Sequence, residues 1–493
     1  MSEPAQPVDA APPPAPEAAP DAAASSPRPT DGLWSPGRRA LTLGLVLNVT
    51  IVASEALAVS TIMPIVARDL GGLDLYGWVF SGFFLGNLLG IVVAGILIDR
   101  GSLSRPFLLG IGLFAAGLAV GGVAPSMPVL VAARVVQGFG AGAIPAVAYV
   151  SIGRALPERL RPRMFATLST AWVLPGVIGP SIAGVVAETL HWRLVFLGLL
   201  PLIAVSVVLV LPALRSVAPP GAAADGEHAV ATDSRRRLPL ATVLVAGAAL
   251  IVAGLSDVGP APIAFVAVGL LVATPAFARL TPPGTLRAER GLPAAILLRG
   301  LLTFAFFCAD AYVPLAIQDW RGQPAVVSGL VFTASTLTWT GGAWIQAQRI
   351  ERIGPRQFLG AGAIVLLIGI ASFALILSPS APLIVGVVGW SIAGLGMGLS
   401  YSTLSLVVLR EAAPELQGAA TAGLQLSDVL GTSLGTGVGG ALVAAGLRTG
   451  SLGWVGLAEA FLVAAIVAVV AFATSGRVRT RPASMAPSAG GAG

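Results

Sequence analysis

The chain runs to 493 residues, 55% of them hydrophobic and only 11% charged, with a mean hydropathy of +0.87. A soluble globular protein carries about 25% charged residues, so this composition excludes a soluble domain and describes a chain made mostly of membrane spans. The formal net charge of +6 does not point to nucleic acid, because the basic residues, all of them arginine, sit between apolar runs and set topology there.

Residues 1–35 are rich in Ala, Pro and Ser and read as a disordered tail. They lack the basic region and short apolar core of a secretory signal. Fourteen apolar runs follow, each about 18–27 residues and long enough to cross a bilayer. Six lie between 41 and 213, two at 239–257 and 261–279, and six between 292 and 475. The chain therefore divides into a six-helix bundle (36–213), a polar loop (214–238), an inserted two-helix hairpin (239–280), a second six-helix bundle (281–476) and a disordered tail (477–493). Such internal duplication is common in secondary transporters. The expected fold is all-α and membrane-integral. Only Arg68, Arg193, Arg321 and Arg448 fall in the loops of one side, against arginine-rich loops on the other. The arginine-rich side is therefore cytoplasmic, with both termini there.

Three carboxylates stand inside apolar runs: Glu55 in span one, Asp310 in span nine and Asp428 in span thirteen. A charge at a helix centre costs about 2.5–3.5 kcal/mol on insertion scales, so such groups face a protein interior or a watery cavity and mark proton or substrate pathways. Span four carries Arg134-Val-Val-Gln137-Gly138-Phe-Gly140-Ala-Gly142. Its arginine stays protonated and needs an acceptor, and Glu55 is expected to supply it. The loop after span two reads Gly95-Ile-Leu-Ile-Asp99-Arg100-Gly101-Ser-Leu-Ser-Arg105, where Asp99, Arg100 and Arg105 could latch one conformation by bonding to a neighbouring helix end. Span five carries Pro175-Gly176-Val-Ile-Gly179-Pro180-Ser-Ile-Ala183-Gly184. Its prolines bend the helix. Its glycines, Gly179 among them, are expected to pack tightly on the second bundle near the outer side. Gly431, Gly435 and Gly439 form a close-packing stripe after Asp428. Trp78, Trp192, Trp320 and Trp454 fall near outer ends and read as interface anchors.

Cys308 is the single cysteine, so no intrachain disulfide forms. His191 and His228 lie in loops, and no cluster has metal-ligand spacing. Neither a metal nor a cofactor is implied.

The Asp99-Arg100 loop resembles the signature loop of the major facilitator superfamily, with its second glycine one place early. The span-four run resembles that superfamily's R-x-x-Q-G motif. The span-five run resembles its antiporter motif, with Ala183 in place of one glycine. Glu55, nine residues before Pro64, and His191-Trp192-Arg193 resemble its fourteen-span drug:proton antiporter branch. The resemblance implies two six-helix bundles plus two inserted helices and no enzymatic chemistry. It further implies a monomer in the inner (plasma) membrane, exporting small amphipathic compounds against protons. A metabolite importer or uniporter, an exporter of lipid or a natural product, and a membrane-embedded enzyme are the other readings of the residues.

Overall fold

A computed structural model of the chain describes residues 32–36, 38–99, 101–216, 227–256, 260–413, 416–448 and 454–478. The described residues contain helices and turns and no strand. The first six spans are α1 (Arg39–Leu70), α2 (Tyr76–Asp99), α3 (Ser104–Gly122), α4 (Met127–Ala155), the pair α5 (Arg161–Thr170) and α6 (Val173–Val186), and the pair α7 (Arg193–Leu197) and α8 (Leu200–Ser216). Then come α9 (Glu227–Leu255) and α10 (Pro260–Leu280). The last six are α11 (Leu292–Asp310) with the short α12 (Val313–Leu315), α13 (Ala325–Ile353), α14 (Pro355–Ala374), α15 (Leu383–Glu411), α16 (Gln417–Arg448) and α17 (Trp454–Ser475).

Thirteen of the described spans are both long and apolar enough to cross a bilayer. The exception is α13, which is 29 residues long but carries Ser328, Thr333, Ser335, Thr336, Thr338, Thr340 and Gln346. It packs between α6 and α15, and its hydroxyls bond to backbone carbonyls there, Thr333 to Val177 of α6 and Thr338 to Ser391 of α15. At about 1.5 Å per residue it is still long enough to span, and it holds the place of the expected tenth span.

Consecutive spans alternate in direction, so α1 starts and α17 finishes at one face, here the terminal face; the opposite face is distal. Two spans are broken where the sequence removes backbone donors or favours turns. The fifth pauses at Ala171–Trp172, just before Pro175. The ninth breaks after Asp310, because Pro314 has no amide to offer the carbonyl four residues back. Each of these spans ends distally in a π turn, Ala187–His191 and Ala316–Trp320.

Several details depart from the sequence-based expectation. The loop expected at 214–238 is helical from Glu227, as the first turns of α9. At the other end of the expected N-terminal tail, Leu33 is buried and its carbonyl accepts from the Thr42 hydroxyl at 3.0 Å, so that stretch is tied to α1. Trp192 is buried rather than facing lipid, since its indole donates to Asp69 at 2.8 Å. Trp320 likewise donates to the Leu377 carbonyl at 2.9 Å.

Packing divides the helices into a first group (α1–α8), a second (α11–α17) and the α9–α10 hairpin, which lies against α2 and α16. The glycines of α4 set the first group: Gly138 and Gly142 sit against the α2 backbone at Phe83 and Asn87, and Gly140 against α3 at Phe114. No side chain fits at those crossings. In the second group Gly435 and Gly439 lie against the α11 carbonyls of Phe304 and Cys308, which gives the expected close stripe.

Candidate functional site

Two buried ion pairs occupy the middle of the bundle. In the first, Arg134 of α4 donates through Nη1 to Glu55 Oε1 of α1 and to Gln137 Oε1 at 2.7 Å. Its Nε donates to the Val79 carbonyl of α2 at 3.3 Å, and its guanidinium lies 4.2 Å from the Phe83 ring centroid. Glu55 is 0% and Arg134 3% exposed. An arginine buried this far keeps its charge, and only a paired carboxylate offsets its desolvation. Two polar atoms of this cluster, Glu55 Oε2 and Gln137 Nε2, have no partner in the structure. The expected pairing of Glu55 with Arg134 is therefore present, and one carboxylate oxygen remains available.

The second pair was only half visible in the sequence. Asp428 of α16 accepts from Arg299 Nε of α11 at 3.0 Å and from the Tyr401 hydroxyl of α15 at 2.9 Å. Arg299 Nη1 donates to the Tyr401 carbonyl at 2.7 Å, and its guanidinium lies 3.0 Å from the Tyr401 ring centroid. The Thr303 hydroxyl donates to the Asp428 carbonyl at 3.1 Å. Three helices thus converge on one carboxylate. Arg299 and Tyr401 were not among the expected site residues. The signal available was Arg299 itself, the other arginine inside an apolar run, which needed an acceptor as much as Arg134 did.

Asp310 lies apart from both pairs. It ends α11 at the break, beside the buried Trp390 indole of α15. An aromatic chain joins its neighbourhood to the second pair. Trp390 stacks on Phe306 at 5.1 Å, Phe306 meets Trp339 edge-on at 5.4 Å, and Trp339 meets Tyr401 at 5.5 Å. Phe84 of α2 approaches Phe307 at 6.2 Å across the two groups.

Bonds between the groups concentrate near the distal face. Arg68 meets Asp319 at 2.7 Å, Gln318 Nε2 donates to the Thr61 carbonyl at 2.8 Å, and the Tyr76 hydroxyl donates to the Ala311 carbonyl at 3.2 Å. The Glu188 carboxylate accepts from the Ala325 amide, the first N–H of α13. That is the favoured place for a negative charge on a helix.

The span-five run lies at this contact. A side chain at Gly176 would run into Thr336, and one at Gly184 would approach the Val326 amide to 2.9 Å. Pro175 and Pro180 are buried. Gly179 departs from expectation: a side chain there would meet nothing within 4 Å. The contact with α13 follows the row Gly176, Pro180 and Gly184, four residues apart, and Gly179 lies beside that row rather than on it.

In the loop after α2, Arg100 and the Asp99 side chain lie outside the described residues. Gly101 has φ +101°, a conformation side chains rarely adopt, and its carbonyl accepts from Arg154 of α4 at 3.1 Å. Arg105 is exposed. The described part of this loop is thus tied to its own group. Among the described residues no group of three or more His, Cys, Asp or Glu could hold a metal.

Residues 43–436 match the family profile of the Major Facilitator Superfamily. The chain belongs to the Major Facilitator Superfamily. It is a multi-pass membrane protein of that transporter family. Curated relatives in the superfamily include a probable multidrug-efflux transporter of Mycobacterium tuberculosis, 26% identical over 444 residues that cover 86% of this chain and 92% of the relative. A multidrug transporter protein of Bacillus subtilis is 25% identical over 436 residues, 84% of this chain and 76% of the relative. Among solved structures, a bacterial homologue of the human lysosomal transporter Spinster superposes with a TM-score of 0.64 at 16% identity, covering 91% of this chain and 99% of that one. At that identity the likeness is one of fold.

Proposed function

We propose that this superfamily member exports small amphipathic compounds across the inner membrane in exchange for protons, with its terminal face cytoplasmic. The observation that carries the reading is the Glu55–Arg134 pair, buried between α1 and α4 with Glu55 Oε2 left unpartnered. A proton arriving on Glu55 cancels its charge, weakens its hold on Arg134 and leaves the guanidinium with the neutral acceptors Gln137 and Val79. The cost of an uncompensated buried arginine then favours a rearrangement of α1 against α4. Coupling follows when the two arrangements of the pair belong to the two states of alternating access.

The name of the Mycobacterium tuberculosis relative supports efflux as the direction. The arginine bias of the loops supports cytoplasmic termini. With Glu55 and Asp428 each neutralised by an arginine, Asp310 is the one of the three intramembrane carboxylates without an ion-pair partner among the described residues. The charge of the interior therefore suits a compound with an apolar body and at most one positive charge. The cycle described needs no cofactor and no covalent chemistry, and one copy of the chain contains both pairs.

The reading is tested by reconstituting the purified chain in proteoliposomes and following a panel of amphipathic compounds with and without an imposed pH gradient. Movement of at least one compound opposite to the proton gradient, collapsing when the gradient is dissipated, is the expected result. Transport that ignores the gradient favours a uniporter instead.

A further inference from the structure

The third and sixth spans of each group, α3 with α8 and α14 with α17, pack within their own group. Exposed apolar side chains cover their outer faces, Leu109 and Val120 on α3 and Val205 and Val208 on α8 among them. At the terminal face each pair borders a cleft. The first, about 360 Å³, lies between the start of α3 and the end of α8, against Ser102, Ser104, Arg105, Leu108, Leu214 and Arg215. The second, about 470 Å³, lies between the start of α14 and the end of α17, against Arg356, Gln357, Phe472 and Ser475. The sequence repeats with the structure. Arg105-Pro-Phe-Leu108 stands in the first turn of α3 and Arg356-Gln-Phe-Leu359 in the first turn of α14, each with its phenylalanine buried. Two residues along a helix lie about 200° apart around its axis. Burying Phe107 and Phe358 therefore turns both arginines outward.

The first cleft collects two arginines from two helices. Arg105, a latch candidate in the sequence, has no hydrogen bond or ion pair among the described residues, and neither has Arg215. No carboxylate stands among the described residues that line the cleft. Two like charges on one small cleft disfavour each other, and an anion between them offsets this. The planar guanidinium fork fits a phosphate in particular. The remaining walls are apolar. Leu214 is buried, and Leu108, 40% exposed, continues into the lipid-facing side of α3. An anion that fits both the arginines and these leucines carries acyl chains.

We propose that the α3–α8 cleft binds an anionic phospholipid of the terminal-face leaflet. Its phosphate lies between Arg105 and Arg215, and an acyl chain runs along Leu108 and the outer faces of the two helices. The hydroxyls of Ser102 and Ser104 can donate to the headgroup. Basic clefts between spans on the cytoplasmic side suit such headgroups. The bound lipid ties the end of α8 to the start of α3. The α14–α17 cleft has one arginine in place of two and takes the same lipid more weakly. Both clefts lie on the outside of their groups, so the proposal does not depend on the direction of transport.

The test is native mass spectrometry of the full-length protein, stripped of lipid in detergent. It is titrated with phosphatidylglycerol or with phosphatidylcholine, whose headgroup is neutral overall. The wild type should hold its first phosphatidylglycerol several-fold more tightly than its first phosphatidylcholine. Arg105→Gln with Arg215→Gln should lose this tightest adduct and keep only the weaker one of the other cleft. Leu108→Trp fills the cleft without touching either charge and should lose the same adduct. Arg349→Gln, at an exposed arginine of the same face outside the cleft, should leave it in place. Equal affinity of the wild type for the two lipids overturns the proposal, as does a tightest adduct that survives in the double arginine variant. Survival in Leu108→Trp, or equal loss in Arg349→Gln, would mean that diffuse surface charge attracts the lipid, and overturns it as well. Complete displacement of phosphatidylglycerol by excess inorganic phosphate would make this a site for free phosphate and strike the lipid.

Discussion

Arg299 of α11 and Asp428 of α16 form a largely buried ion pair at 3.0 Å, 129 positions apart in the chain. The pair joins two helices of one group and is braced from a third by Tyr401. Removing one member leaves the other charged and uncompensated, at a cost of about 3–5 kcal/mol. Arg299→Ala is therefore expected to lower the thermal midpoint of the detergent-solubilised protein markedly. Arg299→Ala with Asp428→Ala should recover much of the loss, because no buried charge remains. A double variant as unstable as the sum of the singles would show that the two residues act independently.

Tyr401→Phe keeps the ring under the Arg299 guanidinium and deletes one hydrogen bond to Asp428. A hydrogen bond to a charged group contributes about 1.5–3 kcal/mol, so stability should fall by less than in Arg299→Ala. A differential scanning measurement of the two variants side by side checks the ordering.

The distal contact depends on Glu188 holding the first amide of α13. An anion at a helix N-terminus is favourable by about 0.3–1 kcal/mol, and Glu188→Gln keeps the shape and loses the charge. The variant should open distally more often, by a factor of a few. In a Cys308→Ser background, Thr333→Cys sits behind this contact, its wild-type hydroxyl donating to the Val177 carbonyl at 2.7 Å. A membrane-impermeant maleimide added from the distal side should label it faster in the Glu188→Gln protein. Equal labelling rates would remove Glu188 from the gate.

Within the span-five run the substitutions should split by face. Gly176→Leu drives a large side chain into Thr336, whereas Gly179→Leu enters space empty to 4 Å. Both proteins should reach the membrane. Export should collapse in the first and stay near wild type in the second, measured as dye accumulation in cells at matched expression. Loss of export at 179 as severe as at 176 would mean that the face of α6 is not what matters.

The parts of this structure that were legible in the sequence are those where physics leaves few choices. A carboxylate and an arginine inside apolar runs each need a partner of opposite charge, and Glu55 and Arg134 meet. Gly435 and Gly439 repeat at helical spacing and lie on α11 as such a stripe must. What was not legible depends on rotation and on distant partners. No local pattern shows that Asp428 meets Arg299 rather than another helix's donor, because the contact is set by how α11, α15 and α16 turn about their axes. The same ambiguity hid the outward direction of Gly179. Trp192 lay at a span end, where tryptophans often meet headgroups, but Asp69 at the end of α1 drew its N–H inward. The hairpin was visible as two apolar runs, whereas its placement in the α2–α16 seam could come only from three-dimensional packing.

The central claim is that the proton acts at Glu55, and Glu55→Gln tests it most directly. The amide keeps the size and one acceptor for Arg134 but does not titrate in this range. Two measurements are compared on the same proteoliposomes: accumulation driven by a pH gradient, and exchange of labelled for unlabelled compound with no gradient. Gradient-driven accumulation should vanish in Glu55→Gln while exchange continues at a measurable rate. Gradient-driven accumulation that persists at the wild-type level in Glu55→Gln would contradict the account and move the proton to Asp310 or Asp428.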